Sequence, residues 1–367
     1  MIGGLDKVTS ESGNTQEPFY NSMGRVEKLQ YGIQGEIFEY AYSYDTFGRP
    51  ASVRYPATAG QQPVVVENEY DAFGTLERVI DTSDPVNAHE LWHADVVDAA
   101  GRVREETLGG AIKNRFTIDP TNGDLTDIQT TWGEKDTLGQ WWHYEHEANG
   151  NVESREDKLF NQFEMFFYDA RNRLHTVASN TGALSTKFDA WGNILNRNGS
   201  TYDYDSSLRL TSAAGVTYTY DDFGRALTRT EGGEKFTFDD YTWFNKPTVI
   251  SSTHDTVRFD YDAFQQRVKK ESTITGKKTI YAGGLYERTS DPNSGEEVQT
   301  FTIMGLGKPI AQIRRTEQLG LPVDEVRYLS TDHLGSTSLV MTKDDNDEIE
   351  VVERPSYDAW GRRRAHA

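Results

Sequence analysis

One hexapeptide theme constrains this chain more than any other feature: an aromatic, usually Tyr, then Asp, two variable residues, Gly or Asn, and often Arg. It stands at Tyr44-Asp45-Thr46-Phe47-Gly48-Arg49, Tyr70-Asp71-Ala72-Phe73-Gly74 and Tyr168-Asp169-Ala170-Arg171-Asn172-Arg173. It returns at Phe188-Asp189-Ala190-Trp191-Gly192-Asn193, Tyr220-Asp221-Asp222-Phe223-Gly224-Arg225 and Tyr357-Asp358-Ala359-Trp360-Gly361-Arg362. A unit repeated this often means that one supersecondary element is stacked many times, so architecture and function belong to the array rather than to a single pocket.

The residues before each Asp read as strand. In Phe38 to Tyr44, four aromatics alternate with Glu39, Ala41 and Ser43, which places all four rings on one sheet face. Tyr202 and Tyr204, Tyr218 and Tyr220, Phe236 and Phe238, and Phe259 and Tyr261 repeat the pattern. Asp then accepts hydrogen bonds from backbone amides a few residues on, and Gly or Asn supplies the positive φ of a tight reversal. Degenerate copies at Tyr20, Val97, Ile118, His146, Tyr204, Tyr241 and Tyr261 fill the gaps, and from Tyr20 to Tyr261 successive anchors lie 16 to 28 residues apart. That interval holds two strands and two turns. Asn198-Gly199 and Gly232-Gly233 mark the opposite hairpin ends. Isolated hairpins are marginal in water, so the hairpins are expected to pair edge to edge into one long antiparallel sheet that twists and curls, with an aromatic inner face and two exposed edges open to self-association.

Composition narrows function. Across 367 residues the apolar fraction is 36% with 12% aromatics, so the core must lean on Tyr, Phe and Trp. A net charge of -20 opposes binding to phosphate backbones, and nucleic acid is excluded as a partner on that ground. With no cysteine there is no disulfide, thiolate metal site or Cys nucleophile. Met1 to Phe19 carries no signal-peptide pattern, and no segment has the apolar length of a membrane span.

Four other clusters invite a chemical reading, and each has a plainer one. In His143-Tyr144-Glu145-His146-Glu147 the two histidines are an odd number apart, facing opposite sides of a strand, so no metal site is assigned. Asp332, His333 and Ser336 contain the letters of a triad within five residues of a turn, where triad geometry is not expected, and no catalytic residue is assigned. Gly305-Leu306-Gly307-Lys308-Pro309 lacks the spacing of a phosphate loop and reads as a strand kink, and no cofactor is expected. Trp132, Trp141, Trp142 and Trp243 suit either packing or stacking on sugars, which leaves a glycan-binding or adhesion surface as the alternative function. Asp119-Pro120 and Asp291-Pro292 read as turns.

The motif set, about a dozen spaced copies from Tyr20 to Arg364, resembles the YD repeats of the RHS family, which includes bacterial Rhs polymorphic toxins, the B and C components of insecticidal toxin complexes, and the extracellular teneurins. Tyr281-Ala282-Gly283-Gly284-Leu285-Tyr286, Thr331-Asp332-His333-Leu334-Gly335-Ser336 and Tyr357-Asp358-Ala359-Trp360-Gly361-Arg362 resemble, in order, the entry into the RHS-associated core. The resemblance implies an all-β spiral sheet, a partial shell, that encloses a toxin or effector polypeptide within a secreted or cell-surface delivery system. It also implies a lead-in over 1–19, a hairpin array over 20–270 and the start of the associated core over 271–367. Family members continue to a DPxxGRF-type self-cleavage segment and a cargo. The sequence reaches Ala367 without either, so self-cleavage is not carried over, and the expected partners are a cargo or further shell polypeptide. The residues expected to matter are structural: Tyr44, Asp45, Gly48, Tyr70, Asp71, Gly74, Tyr168, Asp169, Phe188, Asp189, Gly192, Tyr220, Asp221, Gly224, Tyr357, Asp358 and Gly361.

Overall fold

The computed structural model describes residues 4–58, 60–180, 182–318 and 320–364; Met1 and Ala367 lie outside the described residues. Among the described residues there are 32 strands and no helix. Each strand pairs antiparallel with the one before and the one after it, in strict chain order. The result is one all-β meander that does not close into a barrel.

Because strands alternate in direction, every second turn falls at the same side of the ribbon. All six full motifs turn at one side, the motif rim. The turns at Gln34-Gly35, Asn198-Gly199, Ala214-Gly215 and Gly232-Gly233 fall at the other, the far rim, with positive φ at every one of these residues. The ladder slips by one residue at the motif aromatic, between Ser43 and Tyr44, Glu69 and Tyr70, Phe167 and Tyr168, Lys187 and Phe188, and Thr219 and Tyr220. A bulge adds local twist, so bulges recurring at the same rim make the ribbon coil.

Coiling brings the two ends of the ribbon face to face. Ile33, Phe38, Tyr40, Val79, Trp92, Leu108 and Ile112 form one buried cluster with Ile280, Tyr286, Phe301, Ile303, Ile313, Tyr328, Leu339 and Met341. Phe38 meets Tyr286 with ring centroids 5.7 Å apart, and Tyr55 meets Phe301 edge-on at 6.0 Å. A smaller cluster holds Ile128, Trp142 and Tyr144. Between 153 and 267 no described residue joins either cluster.

Two expectations need correction. Leu306-Gly307 is no strand kink: it is the two-residue turn between the strands Glu296–Gly305 and Lys308–Gln318, with φ of 48° and 80°. Two positive φ values in succession match the right-handed twist of the flanking strands. The motif aromatics do not build the core either. Tyr44, Tyr70, Tyr168 and Tyr220 sit half-buried at the rim, while the buried rings come from strand interiors.

Candidate functional site: motif turns and seam

Each motif Asp is committed to its own turn. Asp45 Oδ1 accepts the N–H groups of Phe47 and Arg49, both at 2.9 Å, and Oδ2 accepts Arg49 Nε at 2.6 Å. Gly48 adopts a φ of 85°, where a side chain would be strained. Asp169 and Asp221 repeat the full arrangement with Arg173 and Arg225. At Asp189 the side-chain donor is Asn193 Nδ2, at 2.8 Å. Asp71 caps Phe73 and Thr75, and Asp358 caps Trp360 and Arg362. The hydrogen bond from the Arg173 side chain holds the Asp169 carboxyl down to about 2.

The aromatic and the Arg act between repeats. Tyr44 donates its hydroxyl proton to the carbonyl of Val26 at 2.8 Å, just past the preceding turn. Tyr70 reaches Pro50, Tyr168 reaches Val152, Tyr204 reaches Ile194 and Tyr220 reaches Leu210 in the same way, at 2.7 to 2.9 Å. In the other direction, Arg49 lies 4.2 Å over the Tyr70 ring, Arg173 4.6 Å over Phe188 and Arg225 4.8 Å over Tyr241. Arg209 also donates to the carbonyl of Asp221, in the next turn, at 3.1 Å. Every such link adds about 1 kcal/mol at most, and the array multiplies it. Reading the motif as a turn alone misses this role of the Tyr hydroxyl and the Arg. The signal for it in the sequence is the constant five-residue step from aromatic to Arg, repeated at the length of one hairpin.

Where the ends overlap, the far-rim side of the early strands faces the motif-rim side of the late ones. Tyr40 donates to the carbonyl of Ala282 at 2.7 Å and Tyr55 to that of Thr302 at 3.0 Å. Cations on the late strands meet acids on the early ones: Arg288 with Glu36 at 2.8 Å, Lys308 with Glu106 at 2.7 Å, and Arg364 with Glu164. Glu106, 1% exposed, also accepts Trp92 Nε1 and Asn114 Nδ2, so the buried carboxylate is fully engaged. Ser330 bonds Asn114 and Ser338 bonds Gln140 further along the same seam.

Residues 114–291 match the family model of the teneurin YD-shell. Over 98% of its length the chain superposes on the crystal structure of TcdB2-TccC3, with a TM-score of 0.70 and 13% identity. The Tc holotoxin pore of Photorhabdus luminescens matches with a TM-score of 0.67 over 95% of the chain, again at 13% identity. The fold is that of these toxin-complex structures, and residues 114–291 are similar to the YD-shell family. The present chain spans 21% and 20% of those two chains. A tRNA3(Ser)-specific nuclease, WapA of Bacillus spizizenii, is 25% identical over 227 residues, which are 61% of this chain and 8% of that protein.

The remaining sequence candidates take structural places in the sheet. His143 Nδ1 lies 3.0 Å from Asp127 Oδ1, which also accepts Trp141 Nε1. His146 precedes the turn at Glu147 in the slot used elsewhere by Tyr. Asp332 caps Leu334 and Ser336, both at 2.9 Å, as any motif Asp does. His333 packs on Tyr144 with ring centroids 4.5 Å apart, and burial pushes its imidazole down to about 4. Asp119 and Asp291 accept backbone amides within their turns. Of the four tryptophans considered for sugar stacking, Trp142 is buried, Trp132 packs against the main cluster and Trp141 is tied to Asp127. Trp243 is exposed and lines a groove with Phe244, Tyr261 and the turn at Ser10 to Ser12.

Proposed function

We propose that this chain is a non-enzymatic wall segment, a spiral sheet that helps to enclose a toxin or effector polypeptide within a secreted or cell-surface delivery system. The observation that carries this reading is how the motif is used: its Asp, Gly, Tyr and Arg are committed to turns and to neighbouring repeats, leaving a long curved sheet as the product. The fold shared with TcdB2-TccC3 supports it, and the present chain spans 21% of the matched one. Residues 20–270 serve as the hairpin array in this reading, and 271–367 open the associated core that folds back on it. The partners are the cargo and further wall polypeptide. A sugar-stacking role finds weaker support, because three of the four candidate tryptophans are engaged within the sheet.

Protease protection tests the proposal. An effector-sized reporter fused after Ala367 should be cut at least about tenfold more slowly than the free reporter, a difference of about 1.4 kcal/mol in access. Equal cleavage rates would overturn enclosure.

A further inference from the structure

The tetrapeptide Asp-Ala-Trp-Gly occurs twice, at 189–192 and at 358–361, with the same local geometry. The Trp amide donates to the Asp Oδ1 at 2.8 Å in one copy and 2.9 Å in the other, and both glycines have positive φ. The two tips differ in surroundings alone. Trp191 is 83% exposed, whereas Trp360 is half-buried beneath the Arg197 guanidinium, 4.4 Å from its ring. Arg197 stands at the far rim, next to the Asn198-Gly199 turn. A second tip is covered in the same way: Phe244 lies in the groove bordered by the far-rim turn Ser10 to Ser12, and Ser12 Oγ donates to the carbonyl of Tyr261 at 3.2 Å. In both places a motif-rim tip is capped by a far-rim turn from another winding.

Elsewhere the motif rim of the early and middle strands carries bare tips. Met23, Phe47, Phe73, Trp191 and Phe223 occupy the same motif position and are all exposed, Phe73 by 95%. Two strands per repeat space neighbouring tips about 10 Å apart along one edge. Met23, Phe47 and Phe73 are successive tips, whereas Asn149 and Arg171 hold the position ahead of Trp191 and Ser207 holds it ahead of Phe223; a run of three large apolar tips on a chain of net charge -20 is the mark of an interaction surface. The uncovered far rim at the other end of the ribbon offers the complement, with Ile274 and Leu321 exposed at its turns.

We propose that the bare motif rim is a docking edge for the far rim of a second copy of this chain, continuing between copies the rim-on-rim contact that Trp360 and Phe244 make within one. The contact joins two different surfaces, so copies add head to tail in an open stack rather than as a closed two-fold dimer. It rests on the two rims and not on any cargo, so its failure leaves the enclosing-wall reading untouched.

Sedimentation velocity from about 1 μM to about 100 μM tests it. The wild-type chain is expected to associate progressively. The variant Phe47→Ser/Phe73→Ser/Phe223→Ser and the variant Ile274→Asp/Leu321→Asp should each associate at least about tenfold more weakly, with far-UV circular dichroism unchanged because all five side chains are exposed. Mixed together, the two variants should form a 1:1 pair and stop, since the mixture retains one intact rim of each kind. A wild-type chain that stays monomeric, a variant that associates alone as strongly as wild type, or a mixture that fails to pair would each overturn the proposal.

Discussion

The overlapped ends of the ribbon and its bridging middle are made from the same hairpin yet held by different forces. At the ends, strands bury large side chains against a second layer, with Trp92, Leu108, Phe301 and Ile310 fully enclosed. From 153 to 267 no described residue joins either cluster; the C-terminal segment reaches Arg155, Glu164 and Arg197, and beyond those contacts the ladder is held by turn caps, Tyr hydroxyls and stacked arginines. The motif follows this division in part. It is most regular at 168–173, 204–209 and 220–225, in the middle, whereas in the overlap Val97, Ile118, His146 and Thr331 stand where Tyr would. The lesson is that a repeat needs its full lock most where no core supplies cohesion. Tyr44 and Tyr70 keep the lock within the overlap, so the trade is a tendency of neighbouring repeats rather than a rule for each one.

The largest effect that separates the two regions should come from Phe301→Ala. Its ring contacts Tyr55 and Tyr286 and lies under Arg315, so truncation leaves a cavity beneath a cation. The expected loss is about 3 to 5 kcal/mol, read from urea unfolding. Hydrogen exchange should show the overlap opening while amides between 168 and 225 keep their protection. Uniform loosening of both regions would break the distinction.

Gly224→Val comes next. Nothing lies close enough to clash with a new Cβ, since the nearest atom is Arg209 Cδ at 3.9 Å, so the cost is conformational: φ is 83°, which a β-branched residue resists. About 1 to 3 kcal/mol should appear as local opening of the hairpin Val216 to Glu231. An unchanged melting temperature and unchanged local exchange would contradict the turn assignment. Tyr220→Phe is smaller, about 1 kcal/mol, because it removes one hydroxyl bond to Leu210 and leaves the ring under Arg209. It should raise exchange at 205–212 and leave the seam unaffected.

The same positions divide what the amino-acid sequence discloses from what it hides. Turn chemistry is local, so Asp45 with Gly48 and Asp221 with Gly224 disclose hairpin, polarity of the turn and strand period within six residues. The lock is hidden because Tyr220 meets Leu210 through ladder register, which no single motif contains. The overlap is hidden more deeply: Tyr40 and Ala282 are 242 residues apart and meet only after many bulges have accumulated their twist. Trp191 and Trp360 make the same point, since identical tetrapeptides differ in exposure purely through what a distant winding places beside them.

Acid should separate the two regions by order of loss rather than by size. His333, in the overlap, is held down to about 4 by burial, against the Tyr144 ring and near Asp332, Arg155 and His146. Its unfolded value is about 6.5, so the unfolded chain takes up the proton first and the His333 contribution is lost as pH falls from about 6.5 toward 4. Asp169, in the middle, is held down to about 2 against about 3.9 unfolded, so its cap is retained until pH falls below about 4 and is lost on the way to 2. Hydrogen exchange across a pH series, corrected for intrinsic rates, should show amides at 330–336 losing protection before those at 169–173. His333→Gln should remove the first step and spare the second. Simultaneous loss at both sites, or loss at 169–173 first, would mean that the middle and the overlap respond to acid as one unit, and the division between locked and core-held repeats would fail.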